Sequence, residues 1–385
     1  MTQTLDILDR LIGFNTVSAN SNLDIVDYIE DFLSARGFVV SRIPDQSGRK
    51  AGLYAEKGPS GKGVLLSAHT DVVPVEGQDW SRDPFKLTRE GDKLFGRGTT
   101  DMKGYVASVL ALADRASTVE LKEPLKIAFS YDEEVGCVGI REMIDQLAPM
   151  LGSPRACFVG EPTEMQVAVG HKGKAALRAT CYGENGHSAL APQFVNALHL
   201  AADFTRGLRD LQTDLAMNGA QDEAYAVPYS TVHVGRLSGG MALNIVPDLA
   251  ELVFEYRYLP ADRADYILAR IQDCAVQAAA PFKHSFADAR IEIEQYNAYP
   301  GLDVQMGAPV IGLAQKMAQT NTTTKVAFGT EAGFFDDLGI PTVVCGPGSM
   351  EGQGHKPDEY ITLSQLSACD DMLDRILAEL CESEA

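Results

Sequence analysis

The chain has 385 residues and carries 53 acidic against 33 basic side chains, a formal charge of −20. So acidic a surface excludes nucleic acid as the expected partner and is poorly drawn to anionic membranes. With a hydrophobic fraction of 45%, a chain of this length is expected to be globular and to fold as two domains, with no disordered majority.

Residues 4–13 and 23–36 repeat apolar side chains at helical spacing and are read as helices, the second stopped by Gly37. The runs "FVVSRIP" and "AGLYAEKG" read as strands, and "GVLLSAH" as a fully buried one. Residues 74–98, rich in Pro, Gly and Asp, read as a long loop, which in a compact domain is more often functional than decorative. A helix over 102–116, a strand in "PLKIAFSY", a helix over 139–148 and a strand in "RACFVG" follow.

After Gly170 the texture changes. "GKAALRATCYG" alternates, 193–215 is helical, "STVHVGRLSGG" and "AELVFEYRYLP" are half-buried strands, 262–280 is helical and "ARIEIEQYNA" alternates. The order β-α-β-β-α-β is that of a ferredoxin-like unit. Residues 172–299 are therefore expected to form an inserted α+β domain, and 1–171 with 300–385 the main α/β domain. From residue 300 the pattern is a helix over 307–319, a strand in "PTVVCG" and a helix over 363–381.

Seven cysteines without a CxxC pair suit a reducing compartment better than a disulfide framework. The first twenty residues have no basic leader pattern, and no apolar run reaches the roughly 18 residues of a membrane span. A cytoplasmic location without membrane contact is the expectation.

Four short segments place metal-type ligands at or near strand ends: "LLSAHTD" (His69, Asp71), "GRGTTDMKG" (Asp101), "IAFSYDEEVG" (Glu133, Glu134) and "CFVGEPT" (Glu161); "GHKPDEY" adds His355. In open α/β sheets the carboxyl ends of strands are where ligands bind. Singly, each has a plain structural reading: a packed histidine, a capping aspartate, a solvated acidic pair. Their coincidence at strand ends points instead to a metal centre. Two imidazoles and three carboxylates (His69, Asp101, Glu134, Glu161, His355) exceed what one zinc needs and suit two cations sharing a bridging carboxylate. Such mixed nitrogen and oxygen ligation suits Zn²⁺, with Co²⁺ or Mn²⁺ as plausible substitutes.

The motifs "SAHTDVVPVEGQDWSRDPF", "GRGTTDMKG", "SYDEEVG", "GEPT" and "GHKPDEY", in this order, resemble the M20 family of co-catalytic metallopeptidases, and the resemblance runs essentially end to end. It implies a zinc-peptidase-like catalytic domain with a central mixed sheet flanked by helices, plus an inserted ferredoxin-like lid and dimerisation domain. It implies two Zn²⁺ per subunit: His69 and Glu161 on one, Glu134 and His355 on the other, Asp101 between them. Asp71 would orient the His69 ring, and Glu133 would be the general base. His187 in "GENGHSALAP" would reach the oxyanion from the partner subunit of a homodimer.

Substrate contacts implied by the resemblance are Arg257 for an α-carboxylate, Asn244, Gly329 with Thr330, and Lys172 near the interdomain linker. Glu331 would meet a cationic side chain or cap the helix that follows it. The implied reaction is hydrolysis of an N-acyl-L-amino acid. "GQDWSRDPFKLT" and "FGTEAGFFDDLGIPTVVCGPGS" favour N2-acetyl-L-ornithine, and so arginine biosynthesis. Succinyl-diaminopimelate, other N-acyl amino acids and dipeptides are the alternatives. Lys356 beside His355 departs from the family pattern; pointing inward, it would disfavour a cationic substrate.

Overall fold

The computed structural model describes residues 2–382. It divides into two compact units, residues 2–171 with 302–382 and residues 172–301. In the first unit the chain runs α1 (Thr2–Ile12), α2 (Leu23–Ser34), β1 (Val39–Pro44), β2 (Ala51–Lys57), β3 (Val64–His69), β4 (Thr88–Glu90) and β5 (Lys93–Phe95). It continues through α3 (Lys103–Ala116), β6 (Leu125–Ser130), α4 (Val138–Leu151), β7 (Ala156–Pro162) and β8 (Val167–His171).

The second unit holds β9 (Gly173–Tyr182), β10 (Gly186–His187), α5 (Ala197–Asn218), β11 (Thr231–Gly239), β12 (Ile245–Val246), β13 (Leu249–Tyr258), α6 (Ala264–Ala279) and β14 (Arg290–Tyr299). The chain returns to the first unit with β15 (Leu302–Asp303), α7 (Pro309–Ala318), β16 (Thr323–Val326), α8 (Ala332–Asp337), β17 (Thr342–Gly346), β18 (Tyr360–Thr362) and α9 (Leu363–Cys381).

The large sheet is mixed, in the order β1-β2-β6-β3-β7-β17-β8-β15, with β16 also on β8. Its centre, β6-β3-β7-β17, is parallel. Every residue of those four strands is buried, as a parallel sheet covered on both faces requires. Helix α3 packs between α1 and α9, and α4 packs with α8. Residues 105–113 of α3 are all fully buried, so this helix is apolar on every side. At Gly160 a side chain would collide with α3, because a Cβ there would lie 2.1 Å from the Tyr105 ring; the residue lets β7 pass directly over that ring.

In the second unit the sheet order is β11-β13-β9-β14, all antiparallel. Counted within the unit this is strand order 2-3-1-4 with two crossing helices, the split βαβ topology. Its core joins Leu177, Phe204, Leu208, Phe254, Ile267 and Ile271.

Some elements differ from the sequence reading. Residues 74–98 are not all loop: β4 pairs with β5, and β5 with β18, as a small antiparallel sheet. Helix α5 begins at Ala197 because a 3-10 turn with Pro192 precedes it and the Asn196 side chain caps it by accepting from Leu198 N–H. Strands β8 and β16 were unassigned; β8 is a five-residue buried run with no alternation to betray it.

Candidate metal centre

Because the four central strands run parallel, their carboxyl ends open on one edge, and that edge gathers the ligand-type residues. His69 is the last residue of β3, Glu133 and Glu134 lie just beyond β6, Glu161 lies near the end of β7, and the segment after β17 carries His355. Asp101 stands in the turn before α3, joined to Met102 by a cis peptide bond.

Asp101 presents its two oxygens to different histidines. Oδ1 lies 3.0 Å from His69 Nε2, and Oδ2 lies 3.1 Å from His355 Nε2. Glu161 Oε1 lies 3.8 Å from His69 Nε2, and Glu134 Oε2 lies 3.0 Å from His355 Nε2. Ligand atoms of His69, Glu133 and Glu161 cluster within 4.8 Å of one another, as do those of His69, Asp101 and Glu134. The arrangement sets Asp101 between two histidines, each with a further carboxylate beside it.

The His69 ring has a defined tautomer. Nδ1 lies 3.0 Å from the Asp71 carbonyl oxygen and 3.4 Å from its Oδ1, so Nδ1 donates to Asp71 and Nε2 is the ring atom turned toward the centre. Asp71 has further partners: its carboxylate accepts from Ser18 Oγ at 2.6 Å and from the backbone N–H groups of Glu133 and Glu134 at 3.1 and 3.3 Å. Cys137 Sγ donates to Glu133 Oε1 at 3.3 Å. Neither Ser18 nor Cys137 stood out in the sequence as a site residue, since their relevance depends on contacts that sequence spacing does not reveal.

Electrostatics match a cation site. Burial raises Glu133 and Glu161 well above the ordinary carboxyl range and brings Glu134 to about 7, with neighbouring carboxylates adding to the rise. Burial opposes charge on the His69 ring, yet Asp101, Asp71 and Glu161 push it well above its usual value. In His355 the same opposition is overcome by Asp101 and Glu134, which drive it to about 11. Against the upward push of burial, the two rings hold Asp101 below the normal range. So many buried like charges are costly unless cations compensate them. The donor set of imidazole nitrogens and carboxylate oxygens suits divalent transition ions and zinc, and the residues fit such a pair.

Thr330 is buried; its hydroxyl lies 3.1 Å from His171 Nε2 and accepts from Ala332 N–H at 3.0 Å, with Gly329 half-buried before it. Glu331 makes no side-chain cap. It is fully buried, accepts from Ser130 Oγ, and is raised by burial to about 7. Lys356 is exposed, its ammonium group beside Gly352.

The other implied site residues belong to the second unit and are described within it. His187 ends β10, where its Nδ1 accepts from Ala189 N–H at 3.0 Å. Ser188 N–H donates to the Asn244 carbonyl at 3.0 Å, which brings the His187 and Asn244 segments together. Arg257 pairs with Glu255 at 3.0 Å on β13, and Lys172 donates to the carbonyls of Val227 and Tyr229.

Comparison with known proteins agrees with this geometry. Residues 65–379 match the model of peptidase family M20/M25/M40. An acetylornithine deacetylase from Pasteurella multocida is 32% identical over 98% of both chains. In fold the chain is similar to the M20 family metallo-carboxypeptidase Sso-CP2 from Sulfolobus solfataricus (TM-score 0.79, 19% identity, 99% of both chains). It is also similar to the Bacillus subtilis protein YXEP, a dinuclear metal binding peptidase (TM-score 0.67, 17% identity, 98% of both chains). The chain belongs to peptidase family M20/M25/M40, a family of hydrolases. No described helix is long and apolar enough to cross a membrane.

Proposed function

We propose that this chain is a two-cation N-acyl-L-amino-acid deacylase whose first substrate is N2-acetyl-L-ornithine, cleaved to L-ornithine and acetate in arginine biosynthesis. The observation that carries the reaction class is Asp101 set between His69 and His355, one oxygen to each. The substrate rests on the end-to-end similarity to an acetylornithine deacetylase. His69 and Glu161 would hold one cation and Glu134 and His355 the other, with Asp101 shared between them. Zn²⁺ is the first choice and Co²⁺ a substitute.

When bound, the cations supply Lewis acidity toward a water molecule and toward the acyl carbonyl. Glu133 takes the proton from the attacking water as its oxygen adds to the acyl carbon. The carboxyl then passes that proton to the leaving nitrogen as the C–N bond breaks, and carboxylate and amine separate. The Cys137 thiol occupies Glu133 Oε1, leaving the other oxygen for the proton. Asp71 aligns the His69 ring and the backbone of the Glu133 turn together. His187 supplies a donor to the developing oxyanion, and Arg257, Lys172, Asn244, Gly329 and Thr330 serve the substrate.

His187 acts from a partner subunit, so the working form is a homodimer formed through the second unit, which also serves as a lid. Support comes from the apolar side chains that unit exposes, Met241 and Leu243 foremost. Free thiols throughout the described chain suit a cytoplasmic enzyme. Steady-state kinetics on N-acetyl-L-ornithine, N-succinyl-diaminopimelate, other N-acyl amino acids and dipeptides, with zinc and with cobalt, decide the substrate. Desuccinylation or dipeptide cleavage without acetate release from acetylornithine would replace the first substrate with that alternative.

A further inference from the structure

Motif residues that the mechanism leaves unused converge beside the Asp101 turn. Arg97 of "GRGTTDMKG" is fully buried, and its Nη1 lies 2.6 Å from Glu359 Oε2 of "GHKPDEY", equally buried. The other Glu359 oxygen accepts from two successive backbone N–H groups, Thr100 at 2.9 Å and Asp101 at 3.1 Å. Arg97 Nη2 donates to Gln78 Oε1, and Trp80 Nε1 donates to the same oxygen at 3.1 Å. With its oxygen taken by two donors, the Gln78 amide must turn its NH2 the other way, and Nε2 donates to the His355 carbonyl at 3.3 Å. The guanidinium also lies over the Trp80 ring, 5.0 Å from its centroid.

One arm of this network therefore grips the backbone of Asp101 and the other grips the backbone of His355. His355 needs such a hold: its φ of +60° is a conformation a non-glycine residue adopts at a cost, and its side chain is 42% exposed. Asp71 offers a parallel within the centre, a buried carboxylate beside the His69 ring that accepts from the N–H groups of Glu133 and Glu134. A buried Arg–Glu pair contributes little net stability compared with apolar packing of the same shape. What the planar guanidinium does supply is fixed geometry, since one fork addresses the Glu359 carboxylate and the Gln78 amide at once and an ammonium group cannot hold that plane.

We propose that Arg97, with Glu359 and Gln78 as its two arms, is the positioning hub that presets the distance between Asp101 and His355 for the cation held on the Glu134–His355 side. None of the three touches the reacting atoms; they act through the two ligands. The inference rests on the two-cation reading above.

The test is stepwise titration of the chelator-stripped full-length protein with Zn²⁺ by calorimetry and with Co²⁺ by visible absorbance, for wild type, Gln78→Ala and Arg97→Lys. Wild type should take up two cations in distinguishable steps. Both variants should keep the melting temperature of stripped wild type. Each should weaken by ~10-fold or more the step that His355→Ala abolishes, the scale on which supporting groups around metal ligands act, and alter the cobalt band of that step while moving the other step less. Should Arg97→Lys fail to fold, half-buried Gln78 still decides, since truncating it removes one arm without opening a core. Two steps of wild-type affinity and unaltered cobalt spectra in a folded Gln78→Ala would overturn the hub. A single step in wild type itself would instead overturn the two-cation reading, so the two failures are told apart.

Discussion

His355 Nε2 lies 3.0 Å from Glu134 Oε2, although 221 residues separate the two in the chain. Glu134 is held at the mouth of β6 by Asp71, and His355 arrives on the segment after β17, so the contact joins the first half of the fold to its last quarter. This pairing and the His69–Asp101 contact are the two halves of the proposed two-cation centre.

Removing His355 should therefore empty one cation position and spare the other. For His355→Ala we expect a stoichiometry near one cation per chain, with one of the two steps weakened by more than ~100-fold, beyond the effect of losing a supporting residue. Asp101→Ala, which takes away the shared carboxylate, should weaken both steps. Elemental analysis after dialysis reads both outcomes, and two tightly bound cations in Asp101→Ala would contradict its bridging role.

Glu133 should separate binding from chemistry. Glu133→Gln keeps shape and hydrogen bonding but cannot take a proton, so kcat should fall by roughly 10²–10⁴-fold with both cations retained. A variant that keeps wild-type kcat would show that another group moves the proton.

Cation uptake should expel protons and tighten as pH rises. In the cation-free protein Asp101 and Glu134 hold the His355 proton up to about 11, against burial, and His69 is raised likewise. Near pH 7.5 both rings are therefore protonated, and a cation can take Nε2 only by displacing that proton. As pH climbs toward the histidine values this competition fades, so affinity increases with pH. Calorimetry in buffers of different ionisation heat should count at least two protons released, one from each ring, with the raised Glu134 and Glu161 carboxyls adding to them, and an affinity flat between pH 6 and 9 would contradict this.

Stripping the cations should lower stability as well as activity. A cation present at 100 times its dissociation constant stabilises the folded chain by about 2.7 kcal/mol per site, so chelator should reduce the melting temperature by several degrees, with recovery on adding Zn²⁺. An unchanged melting curve would mean the site holds no ion tightly.

Dimer formation is tested on the second unit alone. Leu243 is fully exposed, so Leu243→Glu should leave folding intact while converting a dimer to monomer in analytical ultracentrifugation. If monomers retain full turnover, the role of His187 across subunits fails.

Much of the centre was legible before any coordinates, because its parts are local. An apolar strand run ending in His69, or in Glu133 and Glu134, announces itself within ten residues, and β3, β6, β7 and β17 all appear as runs of buried side chains. Where the sequence was silent, the local signal was absent. Strand β8 is too short and too uniformly buried to show a period, and the β4–β5–β18 ladder pairs segments more than 260 residues apart.

By itself, then, the sequence determined which ligand-type residues follow which buried strands, because residue type and burial pattern are properties of neighbours along the chain. Tertiary structure alone decided how those residues share the work. That Asp101 turns one oxygen to each histidine, that Ser18 reaches Asp71, and that Arg97 ties Glu359 to Gln78 depend on contacts across 19 to 262 residues. Such distances are set by the packing of parallel strands and the helices over them, and no spacing in the chain encodes them directly.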